Sequence, residues 1–192
     1  MHWLKQWKAS SSSTKPGVMH LAIVVLWLAG VGYAGYYFTA QRLVAFDPER
    51  VLLSLSAQDI SSMAIARLGT KNAQSKGVIY HFVDNECRCN TYSEKHVKSL
   101  NEQAESDLYD VVTINLSLDN APDFITSTPA TLVLGEENEL MYFGPYAQGA
   151  FCNQSTNTIG LVMKNYQQGF NAQLINHQAQ GCYCQRKQPL ST

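Results

Sequence analysis

Cys87-Arg88-Cys89 lies between an apolar run, Val78-Ile79-Tyr80-His81-Phe82-Val83, and a helical pattern opening at Thr91-Tyr92-Ser93-Glu94. A thiol at a strand-to-helix turn feels the partial positive charge of the helix N-terminus, and Arg88 adds a full one. Both favour the thiolate, the form that attacks disulfides and binds soft metals. A disulfide within such a pair closes a small ring whose geometry is hard to make ideal, and strain makes a bond easier to reduce. The pair therefore reads either as a reactive centre or as two thiols that bond elsewhere.

Three further cysteines, Cys152, Cys182 and Cys184, raise the count to 5. In an oxidising compartment an odd count leaves at least one unpaired within a monomer. Structural bridging of the tail and redox participation are open to these three, and the two Cys-x-Cys pairs together with Cys152 would suit a Cu(I) or Zn site. Against metal, neither Cys-x-Cys pair has the two-residue spacing of zinc knuckles, and His96 and His177 have no ligand-like neighbours. No metal ligand and no cofactor is assigned. The expectation is that Cys152 bonds one tail cysteine, leaving Cys87 and Cys89 as the reactive pair.

Other chemistry finds no foothold. The chain has no phosphate-binding Gly-x-x-x-x-Gly-Lys run, Gly-x-Ser-x-Gly elbow or His-Glu-x-x-His pair. Asp119, Asp123, Glu136 and Glu137 read as solvated loop surface. With 14 basic against 15 acidic residues the net charge is −1, which gives no electrostatic footprint for nucleic acid.

The elements that must position the cysteines emerge from patterning. The 192 residues, 45% hydrophobic, suit one modest domain plus an appendage. Between Lys15 and Arg42 there is no Asp, Glu, Lys or Arg, and residues 18–38 are apolar or aromatic apart from His20, long enough to cross a hydrocarbon core. Lys5, Lys8 and Lys15 precede this segment, while Arg42 and Arg50 follow it mixed with Asp47 and Glu49, which favours a cytoplasmic N-terminus. The resulting division is a cytoplasmic tail over 1–17, a transmembrane anchor over 18–38, a connecting region with a helix near Ser56 to Leu68 over 39–76, a compact domain over 77–170 and a cysteine-containing tail over 171–192.

Within the domain, the strand Val78–Val83 leads through the cysteine turn into a helix from about Thr91 to Ser106. Val97, Leu100, Ala104 and Leu108 form its apolar stripe, and Thr91-x-x-Glu94 offers a capping box. The β-branched run Tyr109–Leu116 completes a βαβ unit, which requires a parallel pair. Ala130–Leu134 and Leu140–Phe143 read as a hairpin, and a last helix near Thr156 to Phe170 carries Ile159, Val162, Met163 and Tyr166.

This order of strand, cysteine turn, helix, strand, Thr128-Pro129, hairpin and helix resembles the thioredoxin-like superfamily over roughly Val78 to Phe170. More closely, the chain resembles a functionally uncharacterised family of membrane-anchored, thioredoxin-like proteins of Gram-negative bacteria. The shared residues are His81-Phe82, Cys87-x-Cys89-Asn90, Thr128-Pro129-Ala130, Phe143-Gly144-Pro145-Tyr146, Gly149-Ala150-Phe151-Cys152 and Gly181-Cys182-Tyr183-Cys184. The resemblance implies an α/β fold, thioredoxin-like, with one N-terminal transmembrane helix, and a cis peptide at Thr128-Pro129 beside the cysteines. It departs from thioredoxins in the single spacer Arg88, in Glu86 before the first cysteine, and in His81, which stands where those proteins carry a buried acid.

The functional expectation is a thiol-disulfide oxidoreductase of the bacterial inner membrane, single-pass, with its C-terminal domain in the periplasm and a protein thiol or disulfide as substrate or redox partner. Cys87 is its nucleophile, Cys89 its resolving thiol, and Pro129 shapes the groove. His81, Arg88, Thr128, Cys152, Cys182 and Cys184 are accessory candidates. The alternative is a non-catalytic module that binds copper, zinc or a protein partner and is stiffened by structural disulfides.

Overall fold

A computed structural model describes residues 17–40, 43–116, 122–149 and 157–186. The chain divides into two compact units, Met1–Ala40 and Gln41–Thr192. The first holds one helix, Val18–Ala40 (α1), with 23 residues and no buried side chain. At 1.5 Å per residue it is roughly 34 Å long, against about 30 Å for a bilayer's hydrocarbon core. It is long and apolar enough to cross a membrane.

The second unit is α/β. Its elements in chain order are Val44–Ala45 (β1), Ala57–Leu68 (α2), Gly77–Val83 (β2), Asn90–Asp107 (α3), Tyr109–Asn115 (β3), Ser127–Thr128 (β4), Ala130–Leu134 (β5), Leu140–Gly144 (β6), Thr158–Gln167 (α4), Leu174–Ile175 (β7), Gln180–Gly181 (β8) and Cys184–Gln185 (β9). The main sheet is mixed and five-stranded, in the order β3-β2-β5-β6-β7. Strand β2 pairs in parallel with β3 from Gly77 opposite Tyr109 to Val83 opposite Asn115, and antiparallel with β5 on its other side. The crossover through α3 is the βαβ unit that the sequence pattern requires, because parallel neighbours cannot be joined by a tight turn.

Alternation along β2 sorts its side chains between two cores. Val78, Tyr80 and Phe82 pack with Phe46, Leu52, Ile60, Ala64, Phe124, Phe143 and Tyr183. Ile79 faces the other layer with Leu100 and Ala104 of α3 and Ile159, Val162 and Met163 of α4. Residues on both sides of the 77–170 segment thus belong to one core, since Phe46 precedes it and Tyr183 follows it. The tail is drawn in by backbone pairing as well: β8 pairs with β1 and β9 with β4.

Two details differ from the sequence pattern. Helix α3 opens at Asn90, with Cys89 at the cap position and no side-chain cap, so the Thr91–Glu94 box does not form. The reason is the tight turn preceding it: the Asn90 amide donates to the Cys87 carbonyl at 3.2 Å and the Tyr92 amide to the Cys89 carbonyl at 3.1 Å, which puts Thr91 already inside the helix. At the other end Leu108 adopts a left-handed conformation, φ 62°, and is exposed, so the buried stripe ends at Ala104.

The segment before α2 is fixed by a buried carboxylate. Asp47 is 5% exposed and accepts from the Val51 and Leu52 amides at 3.0 and 2.8 Å, closing a 3-10 turn over Val51–Ser54 that places Leu52 in the core. Hydrogen bonds to a charged group contribute about 1.5–3 kcal/mol each. Asp47→Ala is expected to lower the unfolding free energy of the detergent-solubilised chain by about 2 kcal/mol or more, with Asp47→Asn losing less because one acceptor remains. Urea unfolding of the three proteins side by side measures the difference.

Candidate functional site

The cysteine turn lies at the C-terminal end of β2, where the Leu116 amide still donates to the Val83 carbonyl at 2.8 Å as the two parallel strands end. Asp84 organises it: its carbonyl accepts from the Cys87 amide at 2.9 Å and from the Asn90 side-chain amide at 2.6 Å, and its carboxylate accepts from the Glu86 amide at 2.9 Å. The turn therefore presents Cys87 and Cys89 inward, 5% and 8% exposed, while Arg88 between them is exposed.

Opposite the turn stands the tail. Strand β9 lies antiparallel on β4, with Cys184 paired to Thr128 and Gln185 to Ser127, and the Arg186 amide extends the contact by donating to the Thr126 carbonyl at 2.9 Å. Two disulfides join the segments: Cys87 to Cys184 and Cys89 to Cys182, with S–S distances of 2.05 and 2.07 Å. The two Cys-x-Cys motifs thus run in opposite directions, each cysteine of one facing a cysteine of the other. The Thr128–Pro129 peptide is cis, and the Thr128 carbonyl oxygen lies 3.6 Å from the Cys87 sulfur. The sulfurs of Cys87, Cys89 and Cys184 all lie within 4.8 Å of one another.

The expected pairing of Cys152 with a tail cysteine is therefore overturned, since both tail cysteines are bonded to the turn. Cys87 and Cys89 are not a free pair. The physical reason is strand alternation: residues i and i+2 of an extended segment face the same way. One spacer is enough to aim both tail sulfurs at the turn, while Tyr183 points to the opposite side, into the core. Cys152 itself lies outside the described residues.

Tyr183 is what sequence reading missed. It is 7% exposed, meets Phe46 edge-on with ring centroids 5.3 Å apart, and donates its hydroxyl to the Ala147 carbonyl at 2.7 Å. Gly181 makes room for it, because a Cβ there would sit 2.7 Å from the Tyr183 hydroxyl and 3.3 Å from the Gly149 carbonyl oxygen. An aromatic residue between two cysteines was the available signal, since an extended tail with one apolar face and one face bearing two sulfurs has something to bury on each side.

His81 is brought to a different neighbourhood. Its ring is fully buried, with Nδ1 2.5 Å from the Tyr146 hydroxyl and Nε2 2.8 Å from Asn101 Oδ1. Burial keeps the Tyr146 phenol protonated far above neutrality. The hydroxyl thus donates to Nδ1, and Nε2–H donates to Asn101, which makes the imidazole neutral. Burial lowers the His81 pKa below its ordinary 6.5, and the Asn101 hydrogen bond opposes the shift without cancelling it.

The second unit is defined by this combination of a mixed-sheet α/β domain and a doubly cross-linked site at the end of the sheet. Residues 57–186 match the family described as Domain of unknown function (DUF6436), and the chain belongs to that family. The matched span begins with α2 and ends just past Cys184, so both halves of the cross-linked site fall within it. No curated protein and no solved structure matches the chain.

The two cross-links are unequal in what they add. Either alone closes a loop of 97 or 93 residues, worth about 4.7 kcal/mol of unfolded-chain entropy for a loop near 100 residues. Once one is in place, the other closes only a small ring through Arg88 and Tyr183, worth about 2 kcal/mol. Removing one pair with Cys87→Ala/Cys184→Ala, or the other with Cys89→Ala/Cys182→Ala, should each cost about 2 kcal/mol, whereas removing both should cost about 7. Denaturant unfolding of the three variants reads this non-additivity directly.

His81 supplies a pH signature. A folded pKa below the unfolded value means that the unfolded chain takes up a proton the folded chain refuses. Its stabilising contribution is therefore present above about pH 6.5 and is lost as pH falls through that value toward the lowered one, by at most about 1.4 kcal/mol per pH unit for one proton. Thermal unfolding midpoints should decline below pH 6.5 in the parent, and His81→Gln should flatten that part of the profile.

Proposed function

We propose that the chain is a membrane-anchored thiol-disulfide oxidoreductase whose domain faces the periplasm from the bacterial inner membrane. The observation that carries this reading is the cross-pairing of two Cys-x-Cys motifs at one sheet end, beside Thr128–Pro129. A staple needs one disulfide, and the second adds less than half of what the first does, about 2 against about 4.7 kcal/mol. Two adjacent disulfides, three of whose sulfurs lie within 4.8 Å of one another, make a set in which bonds can be exchanged without moving the backbone far.

Several features support the finer parts. Strand β2 has a parallel neighbour reached through a helix and an antiparallel neighbour that begins just after a cis-proline, and β5 returns as β6 with Thr131 opposite Gly144. This is the order of a thioredoxin-like domain, in which Pro129 would shape the groove for a protein thiol. The helix α1, preceded by Lys5, Lys8 and Lys15, supports a single-pass anchor with a cytoplasmic N-terminus. In the exchange reaction a thiolate of the partner attacks one sulfur of the Cys87–Cys184 or Cys89–Cys182 bond, the other sulfur leaves as thiolate, and the partner's second thiol resolves the mixed disulfide.

A second reading rests on the same sulfurs. When both disulfides are reduced, the thiolates of Cys87, Cys89, Cys182 and Cys184 form a soft donor set suited to Cu(I) or Zn(II). Metal content after anaerobic reduction and reloading tests it.

The oxidoreductase reading predicts that the oxidised, detergent-solubilised chain converts a dithiol peptide to its disulfide, with one chain disulfide lost per peptide disulfide formed. Replacing Cys87, Cys89, Cys182 and Cys184 together by Ala should abolish the conversion. A rate equal to that of the four-alanine variant would remove the proposal. An outward-facing reporter fused after Thr192 should be active.

A further inference from the structure

We infer that an entering thiol bonds to the tail sulfurs, Cys182 or Cys184, and that the tail strand relays the disulfide between an external dithiol and the buried pair Cys87 and Cys89. This deepens the disulfide-exchange reading and rests on it. It reverses the roles expected from the turn, where Cys87 is the point of attack.

Three observations carry the inference. The core sulfurs belong to residues only 5% and 8% exposed, whereas Cys182 and Cys184 are part-exposed. Disulfide exchange proceeds with the attacking sulfur roughly in line with the bond that breaks. Attack on Cys87 therefore enters from the turn's end of the bond and attack on Cys184 from the tail's end, which is the more exposed of the two. Finally, the tail's strand ladders are short, two residue pairs to β1 and two to β4, supplemented by single backbone hydrogen bonds at Ala179, Gln180 and Arg186, and ladders of that length open locally while the buried Tyr183 ring keeps the tail anchored.

The electron count closes without an added oxidant. A partner thiolate attacks Cys184; its sulfur bonds to that of Cys184, the Cys87–Cys184 bond breaks, and the electron pair leaves on the Cys87 sulfur. Cys87 thiolate then attacks Cys89, which lies within 4.8 Å. The Cys87–Cys89 bond forms, the Cys89–Cys182 bond breaks, and Cys182 leaves as thiolate. The partner's second thiolate attacks its own sulfur in the mixed disulfide and expels Cys184. The partner is oxidised by two electrons, the tail is left as a dithiol after taking up two protons, and the core retains one disulfide. Attack at Cys182 runs through Cys89 onto Cys87 and reaches the same products.

The experiment uses the oxidised full chain in detergent carrying Cys152→Ser, exposed briefly to reduced glutathione, quenched with an alkylating reagent and mapped by mass spectrometry. The expected first product is a glutathione adduct on Cys184 or Cys182, at least fivefold over adducts on Cys87 and Cys89. A Cys87–Cys89 disulfide should follow. In a variant that also carries Cys89→Ala/Cys182→Ala, which keeps the Cys87–Cys184 link, the Cys184 adduct should be lost several-fold faster, because the Cys87 thiolate has no Cys89–Cys182 bond to attack and returns to Cys184, expelling glutathione. Adducts mainly on Cys87 or Cys89 would overturn the relay while leaving disulfide exchange intact. No adduct on any cysteine of the folded chain would overturn both.

Discussion

The second unit depends on the pairing of a two-residue strand, Cys184–Gln185, with the two residues that precede a cis-proline. On its own such a ladder is too short to hold against the entropy of an extended tail. It persists because it is cross-linked to the cysteine turn on one side and backed by the Tyr183 ring on the other. Backbone pairing sets the register, the register aims the sulfurs, and the sulfurs fix the tail. The redox state of the cysteines and the docking of the tail are therefore coupled, with the Tyr183 ring adding a contact that does not depend on the sulfurs.

The same constraint accounts for the one-residue spacer. Two residues between cysteines suit a helix or a tight turn, where sulfurs converge on each other. In the tail, one residue suits an extended segment, where the sulfurs lie side by side and face the same way; Cys87 and Cys89 instead converge from a tight turn. In the tail this spacing serves two partners at once, because the intervening Tyr183 must then face the core. In the turn the intervening Arg88 faces solvent. The two motifs are alike in sequence and opposite in what they bury.

Much of the scaffold is legible in the sequence. The βαβ unit, the hairpin, the last helix and the helix beginning near Ser56 all arise from patterns within one or two elements, while the capping box between Ser56 and Asp59 that opens α2 went unread in the sequence. The start of α3 is less legible because the hydrogen bonds of the cysteine turn, not a Thr side chain, begin that helix. The cysteine pairing is illegible for a different reason: it depends on β9 meeting β4, a contact between segments far apart in sequence with no hydrophobic periodicity to announce it. Two residues of strand carry no detectable pattern. Phe46 and Asp47 are invisible as core for the same cause, since they lie in a short irregular segment whose burial is decided by Tyr183 and Phe143 from elsewhere in the chain.

The chemical consequence is a division of labour between the two sides of the site. The turn sits between a β2 paired on both sides and an eighteen-residue helix, and its cysteines are buried. The tail is held by two-residue ladders, and its cysteines are part-exposed. Exchange chemistry needs one sulfur that an external partner can approach and another that stays in place to receive the bond. A rigid, buried pair facing a lightly held, accessible pair meets both needs, whereas two rigid pairs would exclude the partner and two mobile pairs would not keep their sulfurs within exchange distance. Structural cross-linking alone makes no use of this asymmetry, whereas the proposed exchange reaction uses both sides of it.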